Sequence, residues 1–394
     1  MSYANPEYIK KIGFKPSEII SFAGGWVNHK SPEELQQAYK DIINNESLFH
    51  KSGNYSPTLG INECKKALID FENHLYKMDN IDIDQIAIGA NSTQLTYDLL
   101  KVILEPRDKI LLLDPSYCNY PTQINMSFPE VEILRFSVFN PDSWEYTANE
   151  KIEELSRFIW DKKPKVILLV APDNPTSKIV SDDFFTTALE CARKIGSFVV
   201  VDFAYKEITF NKKVPKYFSL EPNENFISIH SNSKWGKGLG RRLGWVEAPN
   251  FIIESMESFL NSSILCPDTL HQMALTRYIE DSINKNKLKP YLNEMNEKYE
   301  LAARQTLLSI KNHLNFPAIK PDGGIYTCMK IDKNGAEFVR DILNKTGVLF
   351  VPGWGFGKTM DKAVRISYGP LVNDLDKIDE GMKRVGEYIK NVKN

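Results

Sequence analysis

Ser231-Asn232-Ser233-Lys234-Trp235-Gly236-Lys237-Gly238-Leu239-Gly240-Arg241-Arg242 sets two serine hydroxyls, an amine and a guanidinium along a glycine-rich path. Hydroxyls beside an arginine suit a phosphate dianion, because a planar guanidinium can hold two oxygens at once. An amine next to that anchor suits a Schiff base to an aldehyde. Pyridoxal 5'-phosphate carries both groups, which makes Ser231, Ser233, Lys234 and Arg242 its candidate contacts. Taken alone the segment is ambiguous. Most lysines are solvated, and the Gly-x-Gly-x-Gly run could belong to a nucleotide loop, although it lacks the full dinucleotide spacing. Its weight comes from the sequence around it.

Upstream, short apolar runs alternate with amphipathic stretches. The runs Gln85–Gly89, Lys109–Leu113, Val131–Phe136, Val166–Val170, Phe198–Asp202 and Phe226–His230 read as strands, and Ser92–Leu104, Glu150–Ile159 and Asp182–Lys194 as helices. Such alternation predicts an α/β fold: a mainly parallel central sheet with helices on both faces, and ligands at the carboxyl ends of its strands. Downstream, Cys266–Leu314 reads as long helix interrupted at Lys289-Pro290. Strands follow at Gly324–Ile331, Val348–Val351 and Ala363–Tyr368, then a helix from about Asn373, the content of a smaller α+β domain. The expected organisation is an N-terminal segment, residues 1–50, packing with the small domain; a large cofactor-binding domain, 51–265; and an interdomain helix with the small domain, 266–394.

Three chemically useful groups fall just after predicted strands. Asn174 follows Val166–Val170, Asp202 ends Phe198–Asp202 with Tyr205 three residues on, and Lys234 follows Phe226–His230. The intervals, 28 residues from Asn174 to Asp202 and 32 from Asp202 to Lys234, each fit one strand–crossover–strand unit, so parallel strands would bring all three to one rim. The cofactor's chemistry then suggests roles. A partly buried carboxylate, Asp202, would keep the ring nitrogen protonated; Asn174 and Tyr205 would donate to the ring 3-oxygen; Lys234 would carry the Schiff base and later move the substrate's α-proton. Singly, each has a plainer reading: Asp202 as a helix N-cap, Tyr205 as a half-buried core aromatic, Asn174-Pro175 as a turn.

Asn174-Pro175-Thr176, Asp202-x-Ala204-Tyr205 and Ser231-x-Ser233-Lys234 with Arg242, in this order and at these intervals, resemble the class I/II aminotransferases of the fold-type I pyridoxal phosphate enzymes. The resemblance covers nearly the whole chain. It implies that Tyr55, in Tyr-x-x-x-x-Gly, reaches the phosphate of a neighbouring subunit in a homodimer. Asn91-Ser92-Thr93 would form a phosphate cup at a helix amino end. Tyr117, in Pro115-x-Tyr117-x-x-Tyr120, would stack on the ring. Gly323-Gly324-Ile325-Tyr326 and Val351-Pro352-Gly353-x-x-Phe356-Gly357 match small-domain motifs, and Arg365, in Arg365-Ile366-Ser367-Tyr368, would clamp the substrate's α-carboxylate with Asn174 close by. Ala23-Gly24-Gly25-Trp26-Val27-Asn28 resembles the substrate-gate segment, which makes Gly25 and Trp26 substrate contacts. Four positions depart from the family pattern: Ser177 and Lys237 where glycine is common, Asn91 where glycine is frequent in the cup, and Trp26-Val27-Asn28 in place of the usual Gly-x-Pro. Lys237 would bind an acidic substrate group or face solvent, with solvent favoured.

The implied reaction is transfer of the amino group of an L-amino acid to a 2-oxo acid through Lys234. Lyase, cyclase, decarboxylase or oxidase chemistry on the same fold is the alternative. Composition agrees with a globular enzyme: 394 residues, 42% hydrophobic, 25% charged, formal net charge −2. That charge gives no general pull toward nucleic acid or anionic membrane, and a DNA-binding module is not expected. Five dispersed cysteines (Cys64, Cys118, Cys191, Cys266, Cys328) fit a reducing compartment, with neither disulfide nor zinc spacing. Without a signal peptide or a membrane-length apolar run, a cytoplasmic location is expected, and no metal is.

Overall fold

The computed structural model of the chain describes residues 5–210 and 214–393. Residues 1–4, 211–213 and 394, which fall within the three expected segments, lie outside the described residues. In chain order the strands are β1 (Ile20–Ser21), β2 (Ile86–Gly89), β3 (Lys109–Asp114), β4 (Glu132–Ser137), a short hairpin of β5 (Phe139–Asn140) and β6 (Glu145–Tyr146), β7 (Val166–Val170), β8 (Phe198–Asp202), β9 (Phe226–Ser231), β10 (Gly244–Glu247), β11 (Tyr326–Lys330), β12 (Val348–Leu349), β13 (Val351–Pro352) and β14 (Ala363–Ser367).

Seven strands form the central sheet in the order β2-β10-β9-β8-β7-β3-β4. β4, β3, β7, β8 and β9 are mutually parallel, and β10 runs antiparallel to both its neighbours. Strand side chains alternate faces, and the burial follows that period. Leu111, Ile167, Leu169, Val199 and Val201 join Leu155, Ile159, Phe184 and Ala188 of the helices Ile152–Lys162 and Asp182–Ile195 in one core. Ile110, Leu112, Leu168, Val200 and Ile227 join Leu95, Leu99, Ile252 and Met256 of the helices Ser92–Ile103 and Asn250–Ser263 in another. A sheet covered on both faces needs near-continuous apolar strands, which is why Val166–Val170 reads VILLV.

β14 lies between β11 and β13 in a three-stranded antiparallel sheet, and β1 pairs parallel with β12. Phe22 continues that pairing: its N–H donates to Leu349 O (2.8 Å) and its carbonyl accepts from Ser367 N (2.8 Å). The run expected as one strand, Val348–Val351, therefore splits between two sheets at Phe350. A second difference concerns the long helix. It is two helices, Thr269–Asn284 and Leu288–Ser309, separated at Lys285–Lys287 with Asn286 at φ +54°. Pro290 does not break it. It sits in the first turn of the second helix, where backbone N–H groups have no intrahelical partner to lose. No helix among the described residues is long and apolar enough to cross a membrane.

Candidate active site

Register places the three rim groups together. Val170, the last residue of β7, pairs with Asp202, and Asp202 pairs with Ile229, so Asn174, Asp202 and Lys234 leave the sheet at the same edge. They line one cavity of about 120 Å³ with Tyr205, Ser231, Ser233 and Arg242. Asn91, Ser92, Thr93 and Tyr117 close its other side.

At the floor, buried Asp202 accepts from Tyr120 Oη (2.7 Å) and from Ala204 N (2.9 Å). Burial pushes its pKa up, while those two donors, His230 and Lys234 pull the other way. Both hydrogen-bond donors are neutral, so the pocket offers a buried carboxylate a place for one cationic N–H. A protonated ring nitrogen fits that need. Tyr117 packs edge-on against Tyr120 (centroids 5.3 Å apart, planes at 90°), and burial pushes its phenol up to about 12.

The phosphate end is built on the helix Ser92–Ile103. Asn91 caps it by accepting from Gln94 N (3.0 Å), which explains an asparagine at this turn and leaves Ser92 and Thr93 at the positive end of the helix. β10 passes so close that a Cβ on Gly244 would stand 3.0 Å from Ser92 N and 2.6 Å from His230 O; only glycine fits. Ser231 Oγ donates to Ser233 Oγ (2.8 Å), and Arg242 lines the same corner while donating to Leu239 O (2.6 Å). Hydroxyls, a helix amino end and a guanidinium form a donor set suited to a phosphate dianion.

Lys234 Nζ donates to Gly25 O (2.6 Å) and lies 5.3 Å from the Tyr205 ring centroid. Burial, then Arg365 and Arg242, lower its pKa to about 8, against the opposing pull of Asp202. Arg365 is buried; it donates to Asn174 Oδ1 (2.9 Å) and Ala23 O (3.0 Å). Its guanidinium sits 4.3 Å from the Tyr326 ring and 5.0 Å from Phe356, and its Nε has no partner among the described residues. Tyr205 Oη meets Tyr326 Oη at 2.8 Å. Gly25 is held against that hydroxyl, since a Cβ there would stand 2.9 Å from Tyr326 Oη.

Two expected residues stand apart from the cavity. Tyr55 is 83% exposed, and Trp26, about half exposed, folds its ring back over Gly24. Lys237 pairs on the rim with Asn28 Oδ1 (3.2 Å) rather than standing in solvent alone. Ser177 and Lys237, two of the departures from glycine, both hold left-handed backbone, φ +56° and +47°. Ser177 offsets that strain by accepting Tyr326 N on its hydroxyl (3.1 Å). Tyr120 and Phe356 enter the sequence motifs without a role of their own. Tyr120 stands in the first turn of the helix Asn119–Ser127, and its partner Asp202 lies 82 residues away.

Fold and site together define the fold-type I pyridoxal phosphate enzymes. The pattern of the family described as "Aminotransferase class I and II" matches residues 17–384, and the chain belongs to that family. It is 26% identical over 411 residues to an aspartate aminotransferase of Pyrococcus abyssi, covering 100% of this chain and 98% of that one. It is 26% identical over 407 residues to an aromatic-amino-acid aminotransferase 2 of Thermococcus litoralis, with the same coverage. Among solved structures, the aromatic aminotransferase of Pyrococcus horikoshii superposes with TM-score 0.84 at 21% identity, covering 95% of this chain and 96% of that one. A single mutant of the Thermus thermophilus aspartate aminotransferase does so with TM-score 0.83 at 19% identity, covering 96% and 94%. The protein is a pyridoxal phosphate-dependent aminotransferase, and its substrates are amino acids and 2-oxo acids.

Proposed function

We propose that the protein moves the amino group of an L-amino acid to a 2-oxo acid with Lys234 as covalent anchor and proton carrier. Pyridoxal phosphate, when bound, supplies the electron sink that lets an α-proton leave. One observation carries the residue assignment: Lys234 and Arg365 enter the same site from different domains, and each holds a backbone oxygen of the segment 23–25. Arg365 presents two nitrogens along one edge, the arrangement that grips a carboxylate bidentately. A substrate carboxylate gripped there would displace Asn174 or Ala23 O and bring its α-carbon toward Lys234. With its pKa lowered to about 8, Lys234 holds a substantial neutral fraction near neutrality, as a proton acceptor requires. With the cofactor bound, Asp202 would keep the ring nitrogen protonated, Tyr205 and Asn174 would donate to the 3-oxygen, and Ser92, Thr93, Ser231, Ser233 and Arg242 would hold the phosphate.

The working unit in this reading is a homodimer. Tyr55, exposed on this subunit, comes to a cofactor phosphate only from a second subunit. The segment 1–50 belongs functionally with the small domain, in keeping with the pairing of β1 to β12. The cell compartment proposed is the cytoplasm, on the free cysteines.

Borohydride reduction of the loaded enzyme, digestion and peptide mapping test the anchor. A tag on Lys234 is expected; a tag elsewhere, or none on a folded and reconstituted protein, overturns it. Turnover that needs a 2-oxo acid, with Lys234→Ala inactive, is expected. Release of ammonia without an acceptor would instead support lyase chemistry.

A further inference from the structure

We infer that His29 is a positioning residue for Lys234, holding the lysine's backbone and its amine in one frame. His29 directly follows the segment Ala23–Asn28 that resembles the gate motif, and it is buried, 2% exposed. Its Nε2 stands 3.2 Å from the carbonyl oxygen of Trp235, the residue directly after Lys234, and its Nδ1 stands 2.7 Å from Tyr299 Oη. A carbonyl can only accept, so Nε2 carries the proton and Nδ1 accepts from the tyrosine. Tyr291 Oη donates to the same Trp235 oxygen (2.8 Å), and the His29 ring stands edge-on to Tyr299, planes at 87°. Burial pulls the imidazole's pKa down to about 4, so the ring stays neutral near neutrality and the tautomer is stable.

Four residues before His29, the carbonyl of Gly25 accepts from Lys234 Nζ (2.6 Å). The segment 25–29 therefore spans the lysine from amine to backbone, gripping Nζ at one end and the following peptide at the other. Two residues further back, Ala23 O holds Arg365 Nη2 (3.0 Å). Asn28 ties the same segment to the small domain through Pro370 O (3.2 Å) and to the large domain through Lys237 (3.2 Å). Without the His29 bridge, the exposed Asn28–Lys237 contact and Tyr291 Oη, which reaches Lys30 O (3.3 Å) as well as Trp235 O, are left to join the segment to the lysine loop, and the Gly25 oxygen is held less tightly at its distance from the lysine backbone. The groups facing Nζ are then Arg365, Arg242, Asp202 and the Tyr205 ring, with the Gly25 oxygen no longer fixed as acceptor. An acceptor stabilises the ammonium, so its loss lowers the amine's pKa.

The inference rests on Lys234 being the anchor, which peptide tagging tests separately: an untagged Lys234 sinks that assignment, whereas a tagged Lys234 with unmoved variants sinks only the role of His29. The measurement strips the enzyme of cofactor, adds pyridoxal phosphate, and follows covalent capture by borohydride trapping at Lys234 against pH. His29→Phe fills the space and bridges nothing, and His29→Asn keeps an acceptor for Tyr299 but falls short of Trp235. In both, the midpoint of the capture profile is expected to fall by about one pH unit, as loss of a hydrogen bond to a charged group implies. His29→Gln, whose amide reaches Trp235 O, is expected to restore it. A folded His29→Phe with the parent midpoint overturns the inference. If that variant does not fold, a parent midpoint in His29→Asn does the same.

Discussion

The Lys234 amine has its pKa lowered to about 8 by burial and two guanidinium groups, while a free lysine keeps 10.5. Capture of pyridoxal phosphate needs the unprotonated amine, so its rate is expected to rise with pH and level off above about pH 8, a profile readable by borohydride trapping. Tyr120→Phe leaves Asp202 with the Ala204 N–H alone, removing a donor that favours its charge. A drop in kcat of about fivefold is expected, with less change in KM, since about 1 kcal/mol of support for the carboxylate goes. Lys237→Gly should stabilise the fold by about 1 kcal/mol in urea unfolding, because φ +47° costs a side chain and not a glycine. Ser177→Gly should gain less, since it loses the bond to Tyr326 N. Asn174, Asp202, Tyr205, Lys234 and Arg242 were legible in the sequence through their shared order and spacing, with Asn174, Asp202 and Lys234 just past apolar strands, although each taken singly has a plainer reading. His29, Tyr120 and Tyr326 were not: their partners lie 206, 82 and 121 residues away, and no local period reports such a meeting.

Strands and helices follow the same division. The parallel strands are apolar, so they announced themselves. β10 did not: Gly244-Trp245-Val246-Glu247 is short, begins with the residue that most weakens a strand and ends in a charge. That charge is buried. Glu247 accepts from Trp245 Nε1 (3.0 Å) and Ser228 Oγ (3.3 Å) and stands 3.5 Å from His230 Nε2, which stacks on Trp245. His230 in turn faces Glu72 Oε1 (3.5 Å), and Glu72 Oε2 takes Lys206 Nζ at 2.6 Å, all buried. These four ionisable groups pin the helix Asn62–Tyr76 to β9 and β10 under the lysine loop. The sequence rule that charges face water hid them. Lys206→Met would strand Glu72 and is expected to cost about 3–5 kcal/mol in urea unfolding, while Lys206→Met with Glu72→Leu should recover most of it. Equal losses in the single and double variants would count against the pairing.

For the whole molecule, two buried histidines predict an acid limit. Burial lowers His29 to about 4 and His271 to about 3, against 6.5 when unfolded. Between those values the unfolded chain binds more protons than the folded one, so stability should rise with pH up to about 6.5 and fall steadily below it. Paired His29→Gln and His271→Gln substitutions should flatten that slope in urea titrations at pH 4 to 7; an unchanged slope would place the acid limit elsewhere. The proposed dimer has its own test. Mixing Lys234→Ala with a weakened Tyr55→Ala variant should rebuild one intact site per mixed dimer, restoring about a quarter of parent activity if subunits exchange freely. Recovery no greater than the sum of the two variants would mean that Tyr55 serves its own subunit.

The groups that hold Lys234 and Arg365 both come from the early part of the chain: Gly25 lies 209 residues before Lys234, and Ala23 lies 342 residues before Arg365. A growing polypeptide thus exposes its lysine long before the arginine has left the ribosome. Vitamin loading should accordingly wait until synthesis is almost finished, and nascent chains stalled short of β14 should leave the aldehyde free in solution.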